Sequence, residues 1–298
     1  MRISTQSMFE SGALRLGELQ TSLVKTQQQI GTGRRILSPS DDPVAAARAL
    51  DVNQSQSLNT QYGRNRQYAT NTLTTVEGTL SSVTGLLQDV RDIVVSASNG
   101  SLTNTERAFQ ATALNSRLDE LLGLANSRDA MGNYVFSGFQ TGTPAFVKTA
   151  TGATYQGDAG QQLLQVEATR QMAVNNSGLS VFQGGGQDVF KTLTDLVTLL
   201  QTPGAPAPAT LTTLMGDVDL ALDNVLTVRA SVGSRLQELD SLNSFGEDRG
   251  LQYSQILSEL QDLDYTQALT RLSQQQFTLE AAQRSFASIS KLSLFNFI

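Results

Sequence analysis

The stretch LTTVEGTLSSVTGLLQDVRDIV, residues 73–94, decides the architecture: Leu73, Val76, Leu80, Val83, Leu87, Val90 and Val94 recur at alternating spacings of three and four. That repeat keeps one apolar stripe on a single face of an α-helix and predicts a coiled-coil seam that needs partner helices. The seam lies in a helix predicted from Val44 to about Ala97, which Asn99-Gly100 ends. A second helix is expected from Leu102 to about Asp129, with Thr103 as N-cap, Glu106 completing a capping box, and Leu114, Leu118, Leu121 and Leu122 on its apolar face. The two form an antiparallel helical hairpin.

The same spacing returns at Leu211, Leu214, Val218, Ala221, Val225, Val228 and Val232, and continues through Leu236, Leu239 and Leu242. Between the two seams the texture changes. Short β-prone runs at 134–136, 145–147, 154–155, 163–166 and 172–174, separated by Gly, Pro, Asn and Asp, predict a small β-rich module over about 134–186. Gly184-Gly185-Gly186 closes it. A helix over 188–200 and the linker Pro203-Gly204-Ala205-Pro206-Ala207-Pro208 follow.

Outside the seams, each end of the chain carries a heptad stripe. Phe9, Leu16, Leu23 and Ile30 stand seven apart, with Leu19 and Thr26 at the other seam position. Leu272, Leu279 and Phe286 do the same in a last helix, about Asp264 to Leu294, with Ala268, Ala282 and Ile289 between them. At ~1.5 Å per residue that helix is about 45 Å long. Gly31 and Gly33 break the first helix, and Ser38-Pro39-Ser40-Asp41-Asp42-Pro43 turns into the next, with Asp42 as N-cap and Pro43 at the first helical position. The plan nests like a chain that goes out and returns. The expected fold is mainly α: long coiled-coil helices from both termini forming a rod, with a small β-rich outer domain inserted in the middle. Its parts are a terminal coiled-coil core domain (1–42 with 255–298), a helical bundle (43–133 with 205–254) and the outer domain (134–204). Each terminal stripe has one obvious partner helix, so a two-helix pair would leave apolar surface for lateral association.

The 298 residues contain no Cys, His or Trp. That removes thiol nucleophiles, disulfides, imidazole bases and soft-metal ligands together. A net charge of −6 with interspersed signs offers no patch for a run of phosphates, so nucleic acid is not an expected partner. The amino terminus lacks the apolar run of a cleavable secretory signal, and no stretch is apolar for the roughly 18 residues of a membrane span.

Gly31-Thr32-Gly33-Arg34-Arg35-Ile36 lacks the third glycine of a dinucleotide loop and follows a helix where a strand is required. Asp217/Asp219 and Asp262/Asp264 stand two apart on helices and face away from each other. Capping explains Asp41-Asp42 more simply than a cation site. The expectation is no catalytic residue, no cofactor and no metal. The terminal Leu292-Ser293-Leu294-Phe295-Asn296-Phe297-Ile298 is too apolar for a free tail. Leu292, Leu294, Phe295 and Phe297 are expected to meet a protein groove or neighbouring subunits.

Several of these segments resemble the bacterial flagellin family: Arg2-Ile3-Ser4-Thr5, then 29–36 and the Pro39-Ser40-Asp41-Asp42-Pro43 turn, and Tyr134 to Gly138 within Gly132-Asn133-Tyr134-Val135-Phe136-Ser137-Gly138. At the far end Arg229-Ala230-Ser231-Val232-Gly233-Ser234-Arg235-Leu236, Gln267-Ala268-Leu269 and Leu292-Ser293-Leu294 are also similar. The resemblance implies a structural subunit, not an enzyme, exported to the outside through the flagellar type III channel without signal cleavage, with termini that order on assembly. The opening Arg2 to Thr5, the Tyr134 to Gly138 motif and the ending Phe295-Asn296-Phe297-Ile298 point within the family to a subunit joining hook to filament; filament flagellin is the alternative. The implied partners are copies of itself in a ring or helical layer, a hook-associated protein on the hook side, flagellin on the filament side and a cytoplasmic chaperone. Phe9, Leu16, Leu23, Ile30, Leu272, Leu279, Phe286 and Ile289 would pack the assembled core. A soluble coiled-coil signalling bundle is the alternative of another class, since such heptads rich in Gln, Ser, Thr and Ala occur there too.

Overall fold

The computed structural model describes the backbone of residues 5–295 and the side chains of residues 7–288. Among the described residues seven helices and four strands follow in the order α1 (Thr5–Thr32), α2 (Pro43–Ala97), α3 (Asn104–Ala125), β1 (Phe146–Thr149), β2 (Gly152–Tyr155), β3 (Leu163–Glu167), β4 (Arg170–Ala173), α4 (Gly178–Phe182), α5 (Val189–Gln201), α6 (Pro208–Gln261) and α7 (Tyr265–Phe295). They divide into two compact units, Asn59–Glu247 and the combination of Met1–Leu58 with Asp248–Ile298. Both α2 and α6 contribute residues to each.

In the unit of Asn59–Glu247, the seam of α2 is the centre of the core. Leu73, Val76, Leu80, Val83, Leu87 and Val90 are completely inaccessible to solvent. Against them pack Leu211, Leu214, Val218, Ala221, Val225 and Val232 of α6, Leu114, Leu118 and Leu121 of α3, and Phe190, Leu193, Leu196 and Leu200 of α5, in one contiguous cluster. Side chains cap α3, as expected, and α5. Thr103 accepts from Glu106 N while the Glu106 carboxylate accepts from Thr103 N at 2.7 Å, and Asp188 Oδ1 accepts from Phe190 N and Lys191 N. Each satisfies helix-end donors that would otherwise lack partners.

The β-rich region consists of two separate antiparallel hairpins. Phe146 pairs with Tyr155 through Thr149 with Gly152, and Leu163 pairs with Ala173 through a register shift between Gln165 and Glu167. An isolated two-stranded hairpin is marginal in water, so each depends on packing. For β1–β2 this comes from an aromatic cluster: Phe146 lies 4.8 Å from Phe190, 5.1 Å from Tyr155 and 5.5 Å from Phe182, with Phe136 5.4 Å from Phe182. The β3–β4 hairpin buries Val166 and Met172 in the same core and is held by polar side chains as well. Asn65 donates to Gln165 O at 2.7 Å and buried Arg66 to Val166 O at 3.1 Å and Asn243 Oδ1 at 2.8 Å, while Arg170 grips Glu238 through two bonds.

Two local expectations are corrected. The run Tyr134–Phe136 forms no strand: the Phe136 carbonyl accepts from Gly178 N at 2.7 Å and the Tyr155 hydroxyl at 2.9 Å, which replaces a ladder partner. Helix α3 stops at Ala125, before Asp129, because the Asn126 carboxamide exchanges two bonds with the Phe146 backbone, as a strand neighbour would.

The other unit is built on α1 and α7, which pack against each other. Phe9 near the start of α1 meets Phe286 late in α7, and Gly33 after α1 meets Leu263 before α7, so the two helices run antiparallel.

Candidate assembly interface

The α1–α7 pair is fixed at one end by a knot of two turns. Gly33, at φ +70°, accepts from Leu263 N at 3.0 Å, and Arg35 N donates to Gln261 O at 2.7 Å. The Arg35 guanidinium donates to Leu260 O at 2.7 Å, in the last turn of α6, where a cation also complements the helix dipole. It reaches Asp42 at 3.2 Å as well. Asp42 Oδ1 accepts from Ala45 N at 3.0 Å and so caps α2, with Pro43 as its first residue. Asp41 receives Lys25 Nζ at 2.5 Å and the amides of Leu37 and Ser38. The lysine bond first, then those amides, hold its carboxyl down to about 2, from 3.8. At the head of α7, Asp264 Oδ1 accepts from Gln267 N.

From this knot the seam runs outward. Leu16, Leu23 and Ile30 on α1 and Leu272, Leu279 and Phe286 on α7 are half-buried, while Phe9 stays 56% exposed with its ring centroid 5.0 Å from that of Phe286. Thr26, Gln29 and Ala268 are buried. Ile289, Leu292, Leu294, Phe295 and Phe297 lie outside the residues whose side chains are described.

Three seam features escaped the sequence reading. A Cβ on Gly12 would stand 2.7 Å from the Phe286 ring, so this glycine sets how closely the helices approach. Its place three after Phe9 and four before Leu16 is the signal that could have found it. Gln29 donates to Arg35 O at 2.6 Å, and Gln275 buries an Oε1 that accepts no hydrogen bond among the described residues. Polar groups in a helix seam fix register at a cost in stability.

Much apolar surface is left over. Leu14 is 70% exposed on α1, with Phe277 at 74% and Leu269 at 51% on α7. An open groove along α1 is bordered by Glu10, Ala13, Leu14, Gly17 and Thr21, where the small residues admit a close neighbour. Among the described residues no helix is long and apolar enough to cross a membrane, and no three His, Cys, Asp or Glu side chains are grouped to hold a metal.

Residues 3–141 match the family described as the bacterial flagellin N-terminal helical region. Over 315 aligned positions the chain is 35% identical to flagellar hook-associated protein 3 of Escherichia coli K12, covering 99% of each. A solved flagellar hook-associated protein from Vibrio parahaemolyticus superimposes with a TM-score of 0.69 at 28% identity, over 74% of this chain and all of that one. The flagellar junction protein of Legionella pneumophila, 20% identical, shares the fold with a TM-score of 0.63, over 74% of this chain and all of that one.

Proposed function

The chain belongs to the family of flagellar hook-associated protein 3, and on that premise we propose that it is a structural subunit of the bacterial flagellum forming the junction between hook and filament. The observation that carries the mechanism is the incomplete α1–α7 pair. Two helices leave Leu14, Leu269 and Phe277 facing water, and a patch of that kind favours lateral contact with equivalent helices. Copies of the chain in a ring or helical layer supply them, with a hook-associated protein on the hook side and flagellin on the filament side. The likeness to a hook-associated protein over 99% of both chains favours this role over filament flagellin. The role is mechanical, with no catalysis.

The proposal extends to parts resting on family resemblance and on the sequence. The subunit is exported outside the cell without a cleaved signal, a cytoplasmic chaperone holds the apolar segment with Leu292, Leu294, Phe295 and Phe297, and the terminal helices order on docking. The inner core comprises 1–42 with 255–298, the bundle 43–133 with 205–254 and the outward module 134–204.

The test adds purified protein to isolated hooks carrying the preceding junction component and follows polymer length by electron microscopy. A short, self-limiting layer that then accepts flagellin is expected. Unlimited growth would make the chain a filament flagellin, and absence of binding would return the question to a signalling bundle. Leu279→Asp and Phe286→Asp should abolish addition while leaving the Asn59–Glu247 unit folded by circular dichroism; normal addition by either variant would overturn the role given to the seam.

A further inference from the structure

Between α2 and α3 the chain makes an exposed turn at Asn99-Gly100-Ser101, the one Asn-Gly dipeptide in the sequence. We propose that Asn99 is a site of spontaneous covalent modification, at which the folded subunit deamidates to aspartate and isoaspartate.

Three observations bear on it. Asn99 Oδ1 accepts from both Ser101 N at 3.2 Å and Ser101 Oγ at 2.9 Å, which folds the carboxamide back across the Gly100 peptide. The same two donors polarise the carbonyl and stand ready to stabilise negative charge on its oxygen. The Gly100 N–H makes no hydrogen bond among the described residues, while its neighbours are engaged through Asn99 N to Ser96 O and Leu102 N to Asn99 O. That amide is therefore free to lose its proton to solvent. Finally, nothing lies within 4 Å of a Cβ built on Gly100, so no packing opposes the ring that must form.

The reaction balances with water as the only co-reactant. The deprotonated Gly100 nitrogen attacks Asn99 Cγ and forms a new C–N bond, and the electron pair of the carbonyl moves onto Oδ1. Collapse of that intermediate breaks the bond from Cγ to Nδ2, and Nδ2 leaves as ammonia with a proton taken from solvent. Water then opens the succinimide. Cleavage at Cγ returns a normal backbone with aspartate, and cleavage at the former Asn99 carbonyl leaves isoaspartate. Either product places a carboxylate just beyond the carboxyl end of α2, where the helix dipole disfavours it. Isoaspartate also inserts a methylene into the main chain and breaks the turn bond from Leu102 N.

The test incubates the purified full chain in mildly alkaline buffer, checks folding by circular dichroism, and quantifies each Asn-containing peptide by mass spectrometry. Asn99 is expected to convert ahead of every other asparagine and to yield both acids. Gly100→Ala, which the open space accommodates, should remove the conversion within the same interval, and Ser101→Ala should slow it. An Asn99 that keeps its amide while another asparagine converts would overturn the proposal. So would Gly100→Ala reacting at the unaltered rate; an unchanged rate in Ser101→Ala would overturn the part given to the hydroxyl.

Discussion

Gly12→Ala and Gly17→Ala make the same chemical change on the same helix and should move its stability in opposite directions. Each removes the backbone freedom of a glycine inside α1, a gain of about 0.5–1 kcal/mol on propensity alone. At Gly17 nothing lies within 4 Å of the added methyl, so the gain stands. At Gly12 the methyl would stand 2.7 and 2.8 Å from two Phe286 ring atoms. Favourable carbon contacts lie at ~3.5–4.0 Å, so the ring must retreat by roughly 0.8 Å and loosen its contact with Phe9. Such overpacking costs about 1–3 kcal/mol, which outweighs the propensity gain over most of that range. The two variants should therefore differ by about 1–3 kcal/mol, or roughly 5- to 150-fold in the opening equilibrium of α1. Hydrogen exchange of the full chain, read on α1 and α7 peptides, measures that equilibrium. Slower exchange in Gly17→Ala and faster exchange in Gly12→Ala are expected. An equal response of the two, including no response in either, would refute the assigned approach of α1 and α7.

Elsewhere the expected effects follow from burial, capping and charge. Leu80→Ala, at a completely buried seam position, should lower the stability of the Asn59–Glu247 unit by about 2–5 kcal/mol in urea unfolding of the full chain; a change below 1 kcal/mol would contradict the packing. Thr103→Ala removes one half of the α3 capping box and should cost about 0.5–2 kcal/mol in the same assay. Asp41 has a folded-state value near 2, below its ordinary 3.8. Its ion pair and turn bonds thus stabilise fully above that ordinary value and are lost as pH falls through the folded one. Carboxyl NMR should place the Asp41 midpoint near 2 in the folded chain, and a midpoint at 3.8 would show that the Lys25 and turn contacts do not form.

The helices were legible because their signals are local. The 73–94 and 211–232 seams, the Thr103 cap and the Asp42-Pro43 start depend on spacings of a few residues, and each lies where the pattern put it. What was not legible depends on distant partners. Arg66 reads as one more polar residue on a long helix, yet it is 4% exposed and bonded to residues 100 and 177 positions away. Phe136 has β propensity, but Gly178 and Tyr155, far along the chain, claim its carbonyl. Short α4 had no periodic signal at all. In the α1–α7 seam the large apolar residues announced themselves by heptad spacing, whereas Gly12 matters through what it lacks, and Gln275 through a buried Oε1 that its polarity argues against.

The contrast between the two seams separates folding from assembly. In the Asn59–Glu247 unit every large position of the α2 stripe is sealed by residues of the same chain, so its stability needs nothing from outside. The α1–α7 seam alternates half-buried Leu and Phe with Gly12, Thr26, Gln29 and Gln275, and it therefore gains less from pairing than a seam of leucines would. Polar positions in such a seam hold register more than they add stability, which suits the proposed role, in which the pair presents Leu14, Leu269 and Phe277 in fixed places to a neighbouring copy. On this argument, neighbouring copies complete the burial that the pair begins. Making the pair stronger on its own, as Gln275→Leu should, would improve the isolated subunit while relaxing the register on which an ordered layer depends. Tighter α1–α7 protection together with irregular layers on hooks is the expected signature, and regular layers from that variant would show that register is set elsewhere.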